Sequence, residues 1–163
     1  ETIFREMKAR YGQKYTAELE KIYHHLINKE EEFFSSGLKK TIIHGDAHPE
    51  NIIATEGKTG LIDFADMCLA DPARDLGAFL QQLEYKINIK VGDESLAQET
   101  KELFLKEYLK AAGIELDESL QARINLYYNW TAIRTATYWF LKFEHNEERA
   151  AVLLNQVKAN LKL

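Results

Sequence analysis

The 163-residue chain has one cysteine, two prolines and no excess of basic residues. Each shortage excludes something. A lone cysteine, Cys68, rules out an internal disulfide and suits a reducing compartment, so a cytoplasmic location is expected. Lysine and arginine number 21 against 26 aspartates and glutamates. The resulting formal charge of −5 disfavours a general grip on a nucleic-acid backbone. It mildly favours cationic partners, although its ordinary meaning is solubility. No apolar run approaches the ~20 residues needed to cross a bilayer, and no signal-peptide pattern opens the chain, so no membrane partner is expected. The chain starts at Glu1 rather than methionine, which points to a fragment or a processed chain. Internal repeats and low-complexity linkers are lacking too. What remains has the hydrophobic (45%) and aromatic (11%) content of a folded protein, and its length fits a single domain, 1–163, with a real core.

Helical signals dominate that length. Thr2 to Arg10 reads as a short helix. Leu19, Ile22, Tyr23, Leu26 and Ile27 share one helical face, with Thr16 as N-cap and Gly37 as stop. Asp71-Pro72 announces a further helix, because aspartate accepts free amides and proline is tolerated at the first helical position. Leu76, Phe79, Leu80 and Leu83 give it a buried stripe, and it ends before Gly92. Asp93 or Ser95 opens another, with Leu96, Leu103, Phe104 and Tyr108 inward and Gly113 at its end. Asp117 caps a long helix that runs through Phe140 and breaks near Asn146. Glu147 to Leu161 is a last amphipathic helix carrying Leu153, Leu154 and Val157. The expected class is α+β, predominantly α-helical, with one small sheet presenting polar loops.

The chain is organised around residues 41–76. A β-branched run, Thr41 to Ile43, delivers His44-Gly45-Asp46, and Asn51 follows five residues after Asp46. Ile52-Ile53 leads to a turn over Glu56 to Gly60, and Leu61-Ile62 delivers Asp63. A hairpin thus gathers two carboxylates and one carboxamide at the ends of short strands. Such a set suits phosphoryl transfer, which needs a carboxylate to orient the acceptor hydroxyl and hard oxygen ligands for magnesium. Two close carboxylates repel, and a divalent cation relieves that repulsion. Blander readings stand beside this one. Asp46 and Asn51 are also turn formers. His44, Asp46 and His48 also spell a metal-ligand spacing, the rival being a metal-dependent hydrolase. His48 reads better as shaping the loop before Pro49. Asp66 is either a substrate contact or a solvated acid. Glu84, Glu144, Glu147 and Glu148 are mostly surface charges, with an amine pocket as the alternative. Tyr127, Tyr128, Trp130, Tyr138 and Trp139 are mostly packing residues, with one or two available for a cation–π contact. Cys68 reads as a small buried hydrophobe.

At this point a resemblance enters. His44-Gly45-Asp46-Ala47-His48-Pro49-Glu50-Asn51 is similar to the H-G-D-L-H-P-x-N catalytic loop of the aminoglycoside phosphotransferase and choline kinase superfamily. Leu61-Ile62-Asp63-Phe64-Ala65-Asp66 resembles its I-D-F/W segment, and Asp71-Pro72-Ala73-Arg74-Asp75-Leu76 its G-D-P-x-x-D-L-A segment. Ala47 stands where the motif has leucine, and Ala70 where it often has glycine. The resemblance covers roughly residues 15–160. It implies a protein-kinase-like C-terminal lobe whose small hairpin carries the catalytic and metal loops. It implies transfer of the ATP γ-phosphate to a hydroxyl of a small molecule, cationic acceptors being among the candidates, with Mg²⁺ as cofactor. Asp46 is then the catalytic base, Asn51 and Asp63 hold the metal, and Asp75 braces the loop by accepting its backbone amides. His44 is a supporting element, and His48 and Asp66 are candidate substrate contacts. Aminoglycosides, choline or ethanolamine, sugars and amino-alcohols all remain open as acceptors. The residues before His44 read as helices, with no glycine-rich strand-turn-strand and no strand-borne lysine. The nucleotide-binding N-terminal lobe is therefore expected to be a missing partner from the same protein, and the chain to be inactive alone. The remaining alternative is a non-catalytic binding or scaffold domain derived from a kinase lobe.

Overall fold

The computed structural model describes residues 2–142 and 144–163. The described residues form six helices and four short strands: α1 (Thr2–Tyr11), α2 (Thr16–Ser35), β1 (Thr41–Ile43), β2 (Ile52–Thr55), β3 (Lys58–Leu61), β4 (Cys68–Ala70), α3 (Ala73–Lys90), α4 (Glu94–Ala112), α5 (Glu118–Leu141) and α6 (Glu147–Leu161). The fold is α+β and mainly helical. The chain divides into two compact units, Glu1–Gly37 with Asn129–Leu163, and Leu38–Tyr128.

The first unit is built by burial. Met7, Leu19 and Leu26 are fully inaccessible, as are Ile133, Ala136 and Phe140 of α5 and Ala150 and Val157 of α6. Tyr11 and Tyr15 pack on Phe140, with ring centroids 5.2 and 4.6 Å away. The last carbonyls of a helix have no partner within it. Here Arg10 Nη1 (2.8 Å) and the Tyr11 hydroxyl (3.0 Å) donate to the Phe140 carbonyl near the end of α5. Asn146 then caps α6, its Oδ1 accepting the Arg149 amide at 2.9 Å. Two details of the sequence reading change. Thr16 lies within α2, donating its hydroxyl to the Gly12 carbonyl at 2.7 Å, and Tyr15 precedes the helix. Ile27 is exposed, and the buried stripe of α2 runs through Thr16, Leu19, Ile22 and Leu26.

The second unit joins helices and strands. Asp71 is buried at the entry to α3, its Oδ1 accepting the Ala73 amide (3.0 Å) and pairing with Arg123 Nη1 (2.5 Å). The helix begins at Ala73, with Pro72 one position ahead of it. Leu76, Phe79 and Leu80 are buried as their spacing implies, whereas Leu83 is half-buried. Gly77 sits where α3 and α5 cross, and a Cβ there would lie 2.5 Å from the Ile124 carbonyl oxygen. Asp93 caps α4 through the Leu96 amide (2.9 Å), and Gly113 ends it in the left-handed conformation. The buried face of α4 is not the expected one. Ala97 is buried, whereas Leu96 and Leu103 are 42% and 59% exposed and Tyr108 is exposed as well. Phe104 does face inward, stacked on Phe79 at 4.2 Å. The stripe that meets α3 runs one residue later than the leucines, through Ala97, Lys101 and Phe104; Lys101 pairs there with Glu84.

The strands form two separate antiparallel pairs, β1 with β4 and β2 with β3, in place of one small sheet. The hairpin turn is only Glu56-Gly57, and Lys58 to Gly60 belong to β3. Gly57 takes a φ of 69°, a conformation that glycine adopts without the steric cost of a Cβ. Cys68 opens β4 and is exposed, which corrects its reading as a buried hydrophobe.

Candidate active site

Two loops carry the polar residues, one leaving β1 and one leaving β3. The register of the β2–β3 hairpin, Ile52 opposite Leu61, sets Asn51 beside Ile62. The Ile62 amide donates to the Asn51 carbonyl at 3.1 Å, and Asp63 follows at once. Asp63 has φ 64°, an uncommon position for a residue other than glycine, though aspartate tolerates it. Its side chain is exposed.

The loop after β1 is held by polar ties. Asp75, in the first turn of α3, accepts the His44 amide at 2.6 Å through Oδ2 and the Gly45 amide at 3.0 Å through Oδ1. A carboxylate bonded to two amides makes charge-assisted bonds, stronger than neutral ones, and fixes the loop's entry angle. Gly45 has φ 85°, and a Cβ there would lie 2.1 Å from the Asp66 carbonyl oxygen. Only glycine lets the segment 63–66 lie this close against the loop. The His44 ring spans both loops. Its Nε2 lies 2.9 Å from the Ile62 carbonyl, and its Nδ1 accepts the Asp46 amide at 3.4 Å. These partners select the neutral Nε2–H tautomer, since a carbonyl needs a donor and an amide an acceptor. The ring also rests 5.0 Å from that of Phe64.

Asn51 is 6% exposed, and its Nδ2 donates to the Asp46 carbonyl at 3.0 Å. That bond fixes the amide's orientation and leaves Oδ1 as its remaining polar atom. The Asp46 side chain is 47% exposed, with Oδ2 3.4 Å from His48 Nε2, an ion pair when the imidazole is protonated. Backbone ties therefore set the loops bearing Asp46, Asn51 and Asp63 side by side, and Gly45 brings the backbone of Asp66 against them. Sequence reasoning missed one tether. Glu50 pairs with Lys86 of α3 at 2.5 Å, which holds its carboxyl below the usual glutamate range. The signal available was a glutamate inside the loop and a lysine well along the next helix, a separation that spacing rules do not reach.

Among the described residues, no three His, Cys, Asp or Glu side chains gather closely enough to hold a metal. The His44, Asp46 and His48 trio read as a hydrolase ligand set is thus not realised, because both ring nitrogens of His44 are already engaged. Magnesium asks for something else: one or two carboxylates with neutral oxygens, keeping several waters. Asp46, Asp63 and the Asn51 amide oxygen are donors of that kind.

A mainly helical α+β chain with two braced polar loops is a scaffold that positions reacting groups on short connections. The family model of the phosphotransferase enzyme family matches residues 3–122, about three quarters of the chain, and the chain belongs to that family. No curated protein and no solved structure matches it. Among the described residues no helix is long and apolar enough to cross a membrane.

Proposed function

We propose that the protein transfers the γ-phosphate of ATP to a hydroxyl of a small molecule, and that residues 38–128 carry the catalytic and metal-binding part of a protein-kinase-like lobe. The observation that carries this reading is that Asp75 accepts the His44 and Gly45 amides and so braces the loop bearing Asp46 and Asn51. Asp46 accepts the acceptor hydroxyl's proton as its oxygen attacks the terminal phosphorus, and the P–O bond to the leaving diphosphate breaks with its electron pair on that oxygen. Asn51 and Asp63 would hold Mg²⁺, which supplies charge neutralisation on the phosphates. His44, neutral and bonded at both nitrogens, keeps the two loops in register and takes no part in proton transfer. His48, whose Nε2 lies 3.4 Å from Asp46 Oδ2, and Asp66 are the candidate contacts to the acceptor. Helices α1 and α2 precede β1, so the grip on the nucleotide is assigned to a part of the protein outside these residues.

In the intact enzyme, Asp46→Asn lowers turnover by about 10² to 10⁴, the range of a lost general base. A loss of less than about tenfold in steady-state phosphoryl transfer counts against the assignment.

A further inference from the structure

A cavity of about 410 Å³ opens beside the catalytic loop, lined only by residues of the Leu38–Tyr128 unit. Pockets for small ligands run from about 300 to 1,000 Å³. Buried Ile43, Leu76 and Phe79 form its apolar base. Phe104 and Tyr108 of α4 add an aromatic wall, their rings stacked 6.3 Å apart. Among the described residues, its only lining carboxylate, Asp75, is committed to two backbone amides, and no lysine or arginine lines it. The lining itself therefore supplies a charged ligand with no uncommitted carboxylate, lysine or arginine. On the loop side it is edged by His44, Ala47 and His48, the residues flanking Asp46. Ala47 lines it with a methyl group only. His48 both lines the cavity and lies 3.4 Å from Asp46 Oδ2. A molecule seated here lies against His48, the side chain that borders the Asp46 carboxylate.

We propose that this cavity seats the apolar body of the phosphoryl acceptor: an uncharged alcohol whose hydroxyl is carried by an aromatic ring or a compact aliphatic group, not a polycation. This rests on the phosphotransferase reading above. The alcohol oxygen bonds to the γ-phosphorus, its proton passes to the Asp46 carboxylate, and ADP leaves with the electrons of the broken P–O bond.

The test uses 2-phenylethanol as probe, its binding to the full chain followed by saturation-transfer NMR and its phosphorylation by the intact enzyme with MgATP. Ala47→Leu fills the cavity and is expected to weaken binding at least about tenfold. Ile42→Asp places a charge at the mouth, at a side chain 67% exposed and so tolerant of change, and is expected to do the same. Binding lost in either folded variant, with phosphorylation of the probe, supports the proposal. Absent binding, or binding indifferent to both substitutions, overturns it. Transfer to polycationic alcohols but not to the probe overturns it while leaving the phosphotransferase reading intact. Binding of the probe without transfer to any alcohol takes down both.

Discussion

The two compact units hold their parts in place by different means. In the unit of Glu1–Gly37 with Asn129–Leu163, position follows from burial: Met7, Leu19, Leu26 and Phe140 leave no accessible surface. In the unit of Leu38–Tyr128, the small sheets and the segment between β3 and β4 leave Ile42, Ile53, Leu61, Ile62, Phe64, Met67 and Leu69 exposed, and the loops are fixed by hydrogen bonds instead. Hydrophobic burial is strong but non-directional, whereas a bond from a carboxylate to two amides fixes orientation. A site that must aim a carboxylate and an amide oxygen is better served by the second means.

This contrast can be broken from either side. The largest stability change is expected in the helical unit, where Phe140→Ala removes a fully buried ring and costs about 3–5 kcal/mol in urea unfolding. Its effect on the loop that follows β1 should be small at temperatures where the fold survives. Asp75→Ala is expected to cost less, about 1–3 kcal/mol, because it strips the acceptor from two backbone donors. Its signature is local: the His44 and Gly45 amides exchange faster in hydrogen-exchange NMR while those of α5 keep their protection. Equal loosening of both regions would erase the distinction. Gly45→Ala is expected to cost about 1–2 kcal/mol from its φ of 85° alone, and to displace the Asp66 backbone, seen as shifted amide resonances over 63–66. The smallest effect belongs to Lys86→Met. Glu50 titrates below the usual glutamate range because Lys86 bonds and attracts its charged form. A depressed carboxylate contributes its stability above the ordinary glutamate range and loses it as pH falls through the lowered midpoint. With Lys86 gone, the Glu50 midpoint is expected to rise to the ordinary range by carboxyl NMR, with stability near neutral pH almost unchanged.

Much of the helical frame was legible because its signals are local. Asp93, Gly113, Asp117 and Asn146 each fix a helix end through their own side chain or φ, and α6 falls where its apolar spacing puts it. What escaped depends on partners. β4 is three residues long, too short for any period, and exists only because Cys68 to Ala70 pair with β1. Leu96 and Leu103 repeat at helical spacing as well as Ala97 and Phe104 do, and only the neighbouring α3 decides which pair turns inward. The polar loops were found by residue type and order. Their bracing from Asp75, the Gly45 contact with Asp66, and the cavity beside Ala47 are facts of three-dimensional approach.

The central claim, that Asp46, Asn51 and Asp63 serve one magnesium–nucleotide site, is tested most directly by Mn²⁺ binding, read from water-proton relaxation of the intact enzyme with ATP. The account expects enhanced relaxation in the wild type and affinity weakened at least about tenfold in Asp63→Ala and Asn51→Ala. Undiminished Mn²⁺ affinity in both variants would contradict it.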